Sequence, residues 1–158
     1  MQWDIMTFKT SFWDVLRQIM GSGDRMFQSV YERYGLTGVQ LRLLMDIRHA
    51  RGGVLSVGAL SESTCMAGAN VSSMCKKMER AGLVVRARSM QDERVVNVSL
   101  TEHAQDVLSQ IKDEMYLRFE PVGAQMSEQD MEDIVRGLNR LNEMVKLMSQ
   151  QFTYTKQK

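Results

Sequence analysis

Apolar residues in this chain recur mostly at three- and four-residue spacings, the period of a helix that buries one face. Between about Lys9 and Tyr34 they are Phe12, Val15, Leu16, Ile19, Met26, Phe27 and Val30, which predicts one long helix with room for a bend at Gly21-Ser22-Gly23. Gly35-Leu36 ends it. Thr37-Gly38-Val39-Gln40 then has the Thr-x-x-Gln form of a capping box, in which two side chains satisfy amides that a helix start leaves unpaired. The helix it opens has Val39, Leu43, Leu44 and Ile47 as its inner face and fades at Arg51-Gly52-Gly53.

From Val54 the elements shorten. Ser56 is placed to cap a short helix to about Thr64 that buries Ala59 and Leu60, and Cys65 to Ala69 form a turn in which Gly68 is free to take an unusual backbone conformation. A further helix from about Asn70 to Ala81 buries Val71, Met74, Cys75 and Met78, with Gly82 where a left-handed C-cap is wanted. Helix, glycine-bearing turn and helix make a helix-turn-helix.

The period then changes to two. Leu83, Val85 and Ala87 alternate with Val84, Arg86 and Arg88, and Val96, Val98 and Leu100 alternate with Asn97 and Ser99, which predicts a hairpin with the polar tip Ser89-Met90-Gln91-Asp92-Glu93-Arg94. After a helix-turn-helix such a hairpin is a wing. Thr101 caps a helix with the stripe Ala104, Val107, Leu108, Ile111, Met115 and Phe119, which runs to a bend at Pro121. Ser127 caps a last helix with the stripe Met131, Ile134, Val135, Leu138, Leu141, Val145 and Met148. The fold class expected is mostly α with a small β-hairpin wing, an α+β winged helix. Residues 37–100 are expected to form one winged helix-turn-helix domain, an architecture suited to binding DNA, and residues 1–36 and 101–158 to supply dimerisation helices, because their apolar area exceeds what a small winged domain can cover and suits a second copy of the chain.

Composition adds three points. With 158 residues, 44% hydrophobic and 25% charged, the chain is long enough for a real core, and its single proline, Pro121, agrees with a helix-rich fold. Apolar runs fall short of the roughly 20 residues that span a bilayer, and Met1-Gln2-Trp3-Asp4 lacks the layout of a signal peptide, so a cytoplasmic protein without membrane association is expected. Cys65 and Cys75 are then expected to stay thiols. Net charge is only +1, yet it is segregated: residues 37–100 carry nine Lys/Arg against five Asp/Glu, or +4, while residues 101–158 carry seven against ten, or −3. The cationic part coincides with the helix-turn-helix and wing.

The run Ala69-Asn70-Val71-Ser72-Ser73 to Leu83-Val84-Val85-Arg86, followed by Asp92-Glu93-Arg94 and Leu100-Thr101, closely resembles the MarR family of bacterial transcriptional regulators. The Asn-Val-Ser, Glu-x-x-Gly-Leu-Val-x-Arg, Asp-x-Arg and Leu-Thr pieces come in that family's order and spacing, and Leu36-Thr37 with Gln40 matches its second helix. One departure is Ala104, in a region where the family usually has glycine; alanine is the better helix former and leaves the fold intact. The resemblance implies a homodimer with interlocked first and last helices, two winged domains on a near-palindromic double-stranded operator, and repression relieved by a small, often aromatic, ligand or by an oxidant.

If Val71, Cys75 and Met78 face the core, helical geometry turns Asn70, Ser72, Ser73, Lys76, Lys77 and Arg80 outward. Asn and Lys suit base edges, and serines and distal cations suit phosphates; taken alone, the same residues describe an ordinary solvated helix face. Asp92 and Arg94 share one side of the wing tip, so that the carboxylate would hold the guanidinium outstretched, and the resemblance implies that this arginine enters the minor groove. Arg86 and Arg88 lie at the base of the hairpin and would meet phosphates.

Other signals are weaker. Cys65 and Cys75 allow a redox-responsive repressor, because oxidation beside a recognition helix would displace it; a turn thiol and a small core residue are the simpler account. His49 and His103 have no metal-ligand spacing, and Asp130, Glu132 and Asp133 read as a charged first helical turn. Fourteen methionines fit core packing, with some available to line an adaptable ligand pocket. No phosphate-binding glycine loop, nucleophile elbow or metal-ligand set is found, so neither enzyme nor cofactor is expected. A winged helix used only for protein contacts is the remaining alternative to a DNA-binding regulator.

Overall fold

The computed structural model describes residues 5–18, 21 and 24–155. Helix α1 (Ile5–Gln18) and helix α2 (Asp24–Tyr31) occupy the stretch expected as one helix; Ile19 and Ser22-Gly23 of the expected bend, the side chain of Met26 and residues 1–4 lie outside what is described. A 3₁₀ turn (Glu32–Tyr34), helix α3 (Gly38–His49), a second 3₁₀ turn (Arg51–Gly53) and strand β1 (Val54–Ser56) follow. Then come α4 (Val57–Thr64), α5 (Gly68–Arg80), β2 (Val84–Arg88), β3 (Val96–Leu100), α6 (Glu102–Gly123) and α7 (Glu128–Thr155). The chain divides into two compact units, one running to Met115 and the other from Tyr116 onward.

Local chemistry sets the boundaries. The Thr37 hydroxyl accepts from the Gln40 amide at 3.3 Å while the Gln40 side chain accepts from the Thr37 amide at 2.8 Å, so the capping box forms as the sequence predicts. Ser56 caps α4 through the Ala59 amide at 3.0 Å, and Thr101 caps α6 through the Ala104 amide at 3.1 Å. At the end of α5 the Gly82 amide reaches the Glu79 carbonyl at 3.0 Å and the Leu83 amide reaches the Met78 carbonyl at 2.9 Å. This pair is a Schellman motif, and it needs the left-handed conformation that Gly82 adopts at φ 72°.

In the first unit one core collects Val30 and Tyr31 of α2, Leu43, Leu44 and Ile47 of α3, Leu60 of α4, Val71, Cys75 and Met78 of α5, Val84, Val98, and Ala104, Val107, Leu108 and Ile111 of α6. The three strands pair antiparallel in the order β1-β3-β2, with Leu55 and Arg86 both opposite Val98. Arg42 donates to the Ser63 carbonyl at 2.6 Å and the Ser63 hydroxyl to Asp46 at 2.8 Å, which tie α3 to α4. The second unit is the end of α6 and all of α7. The start of α7 is capped by Ser127, whose amide and hydroxyl donate to the Asp130 carboxylate at 3.1 and 2.6 Å while its hydroxyl also accepts from the Asp130 amide at 3.1 Å. These donations hold the Asp130 carboxyl below its ordinary pKa.

Several expectations are corrected. Val39 is exposed, because α3 turns Leu43, Leu44 and Ile47 inward and leaves its first turn at the rim. The turn before α5 is made by Cys65, at φ 54°, whereas Gly68 is the first residue of α5. Pro121 lies inside α6 rather than ending it. Strand β1 is not foreseen, since three residues are too few to show a period. No helix among the described residues is long and apolar enough to cross a membrane.

Candidate nucleic-acid interface

Helix α5 presents the expected surface. With Val71, Cys75 and Met78 fully buried, Asn70, Ser73, Lys76, Lys77 and Arg80 are exposed, while Ser72 is half-buried and offers less than the sequence suggests. Asn70, Ser73, Met74 and Lys77 of α5 line a cleft of about 380 Å³ together with Thr37 and Gln40, at the start of α3, and Met66. Sequence reasoning identifies Thr37 and Gln40 as a cap and misses them as neighbours of α5, because a local i to i+3 motif says nothing of where its helix start lies in space.

The wing tip is built by main-chain bonds. The Ser89 amide donates to the Val95 carbonyl at 2.8 Å and the Val95 amide to the Asp92 carbonyl at 2.9 Å. Asp92 does not hold the Arg94 guanidinium as expected; its carboxylate accepts from the Arg94 backbone amide at 2.9 Å, which fixes the turn and leaves the side chain exposed. Among the described residues, none of Lys76, Lys77, Arg80, Arg88 and Arg94 is in an ion pair. Solvated cations of this kind can meet phosphate oxygens without first breaking an internal contact.

Arg86 is placed differently. Residues directly opposite in an antiparallel pair share a face, so pairing with the fully buried Val98 turns Arg86 inward along with Val84. The inward face of β2 is thus Val84 and Arg86, which leaves Ala87 exposed and Val85 51% exposed, while Leu83, just before the strand, is buried. The Arg86 side chain is only 15% exposed, and its guanidinium meets the Glu79 carboxylate of α5 at 3.4 Å. Glu79 also accepts the Arg86 backbone amide at 3.2 Å. Arg88, at the far end of the strand, is exposed.

The two cysteines also separate. Cys75 is fully buried, and burial pushes its thiol pKa up despite the opposing influence of the Arg86 charge. A thiol so placed is a poor nucleophile. Cys65 is exposed, with its sulfur 3.8 Å from the Glu62 carbonyl. His49 and His103 are exposed, and among the described residues no three His, Cys, Asp or Glu side chains gather as a metal site.

The family model described as "Transcriptional regulator SarA/Rot" matches residues 25–111, which include α3 to β3 and more than half of the chain. The chain belongs to the SarA/Rot family of transcriptional regulators. It is similar to the HTH-type transcriptional regulator SarZ of Staphylococcus epidermidis, 29% identical over 89 residues that cover 56% of this chain; the match spans 59% of that relative's length, short of two thirds. It is also similar to the homoprotocatechuate degradative operon repressor of Escherichia coli, 23% identical over 108 residues, 68% of this chain and 72% of that protein.

Solved structures agree on the fold of this SarA/Rot-family chain. A MarR family protein from Bacillus stearothermophilus superposes with TM-score 0.75 at 23% identity, covering 91% of this chain and 99% of that one. NadR in complex with 4-hydroxyphenylacetate gives 0.64 at 22% identity over 80% and 88% of the two chains. A variant of S. aureus MepR bound to an oligodeoxyribonucleotide gives 0.60 at 20% identity over 85% and 97%. The MarR resemblance read from the motifs, and the winged helix it implies, are borne out.

Proposed function

We propose that this SarA/Rot-family regulator is a repressor that binds a near-palindromic double-stranded operator as a homodimer and is released by a small ligand. The observation that carries the DNA-binding part is the row of unpaired, exposed groups Asn70, Ser73, Lys76, Lys77 and Arg80 on a helix whose other face is wholly core, followed at the wing by Arg88 and Arg94. Asn70 and Lys76 would read base edges, Ser72, Ser73, Lys77, Arg80 and Arg88 would take phosphates, and Arg94 would enter the minor groove, with Asp92 shaping the turn that presents it.

The homodimer rests on α7. Met131, Ile134, Val135, Leu138, Val145 and Met148 of its stripe are 43–58% exposed, an apolar face that a second copy of the chain would cover. A repressor role is supported by the likeness to the homoprotocatechuate operon repressor, and release by a small aromatic ligand by the fold shared with NadR, whose structure holds 4-hydroxyphenylacetate. Burial of Cys75 speaks against an oxidant acting there.

The test is binding of the purified chain to the duplex that flanks its own coding region, against a scrambled duplex of equal length. Preference for the flanking duplex supports a sequence-specific regulator, whereas a module for protein contacts alone would bind neither. With six to ten phosphates neutralised, affinity should fall about 10³- to 10⁵-fold between low and moderate salt. An affinity indifferent to salt contradicts the interface.

A further inference from the structure

We infer that Glu79 is a positioning residue: through Arg86 it sets the angle of the wing relative to the recognition helix, and so decides whether both reach DNA together. The inference rests on the DNA interface proposed above and moves Arg86 from contacting phosphate to bracing the protein. Glu79 sits in the last turn of α5, and its two carboxylate oxygens grip β2 at two kinds of atom: one accepts the Arg86 backbone amide at 3.2 Å, the other the Arg86 guanidinium at 3.4 Å. β2 lies at the end of the sheet order and pairs only with β3. The carboxylate therefore stands in for a missing neighbouring strand, and only the Ala81-Gly82-Leu83 turn separates helix from strand.

The rest of Arg86 is confined. Its side chain is 15% exposed, lies on the same sheet face as the fully buried Val98, and keeps a buried Nε with no hydrogen-bond partner. An arginine that buries an unsatisfied donor costs free energy, and Glu79 is the group that makes the arrangement tolerable. Because Glu79 is itself partly exposed, the ion pair as such adds little to global stability, and without it Arg86 is expected to swing out to water and release the strand it anchors.

Its leverage is geometric. Five residues, the first two of them in β2, separate Arg86 from the tip near Gln91, at most about 17 Å at 3.3 Å per extended residue. A tilt of about 10° at the base would move the tip by up to about 3 Å, enough to lose hydrogen bonds whose useful range is only about 0.5 Å. Arg94 would then miss the groove while α5 still entered its own.

The experiment uses the full chain and the flanking duplex, with Glu79→Ala, Arg94→Ala and the double variant. Removing a carboxylate beside DNA should by charge alone tighten binding; a positioning role reverses the sign. We expect Glu79→Ala to weaken binding at least tenfold with little change in Tm, to lose hydroxyl-radical protection at the wing's position while keeping it under α5, and to make Arg94→Ala cost almost nothing further. Glu79→Gln, which retains one acceptor for the Arg86 amide, should fall between Glu79→Ala and wild type, and it replaces Glu79→Ala if that variant fails to fold. Wild-type affinity and footprint in these variants, tighter binding, or an undiminished cost of Arg94→Ala in the Glu79→Ala background would each overturn the inference. Failure of the wild-type chain to bind the duplex would instead sink the proposed function.

Discussion

Placing a charge in the middle of the α7 stripe, Leu138→Glu, tests whether two copies cover it. Fully burying a Val, Leu, Ile or Met side chain is worth about 1.5–3 kcal/mol. Six stripe residues, Met131, Ile134, Val135, Leu138, Val145 and Met148, are near half-exposed, so covering the remainder gains about 4–9 kcal/mol per protomer. Doubled by symmetry, that meets an association cost of about 4–15 kcal/mol, leaving a dimer favoured. Leu138→Glu removes about 1 kcal/mol of this per protomer and puts two carboxylates in an apolar seam, at several kcal/mol per ion. A loss of even about 5 kcal/mol, less than these terms sum to, raises Kd by about 10³- to 10⁴-fold. Sedimentation velocity should therefore give twice the chain mass for the wild type and a single chain for the variant at micromolar concentration, with equal helix content by circular dichroism. A wild type that sediments as one chain, or a variant that stays paired, refutes the reasoning.

Four further outcomes are expected. Arg94→Ala and Lys76→Ala should each weaken operator binding about tenfold and make the log–log salt dependence shallower, with Tm unchanged because neither side chain is in an ion pair; a fallen Tm would mean these residues are structural. Thr101→Val removes the α6 cap and the 2.7 Å bond from the Thr101 hydroxyl to the Gly82 carbonyl, so urea denaturation should show a loss of about 2 kcal/mol; under about 0.5 kcal/mol would contradict it. In the native protein iodoacetamide should alkylate exposed Cys65 and spare buried Cys75 until the chain unfolds, as read by mass spectrometry. Ser127 lowers the folded-state pKa of Asp130, so that contribution is present above the ordinary aspartate value and lost as pH falls through the lowered one; Asp130→Asn should fray α7 at neutral pH and match wild type in strong acid, by circular dichroism.

What was legible in the sequence is chemistry that acts over three or four residues. Thr37 with Gln40, Ser56, Thr101 and Ser127 each cap the helix they precede, because a hydroxyl or amide at that offset can reach only one unpaired N–H. Gly82 ends α5 for an equally local reason. Illegible was whatever depends on a partner distant in sequence. Both faces of β2 are open to burial by pattern, and hydrophobicity favours the face of Val85 and Ala87; registry opposite Val98 and the Glu79 carboxylate decide for Val84 and Arg86. Gly68 is the residue that a turn would choose on propensity, yet Cys65 takes the left-handed position, tied by its amide to the Glu62 carbonyl.

The cationic excess of residues 37–100 does not depend on Arg86. Arg86 and Glu79 neutralise each other inside the protein, so removing both leaves residues 37–100 with eight Lys/Arg against four Asp/Glu, still +4. The excess is therefore carried by side chains free to meet a polyanion, Lys76, Lys77, Arg80, Arg88 and Arg94 among them, and counterion release should follow from those. Arg86 and Arg94 look alike in the sequence, two arginines of one hairpin, and differ in what the fold asks of them. A double-mutant cycle links the roles: loss at Arg94 should lower affinity and the salt slope, and loss at Glu79, by withdrawing Arg94 from reach, should lower both as well and leave little for a second loss at Arg94 to remove.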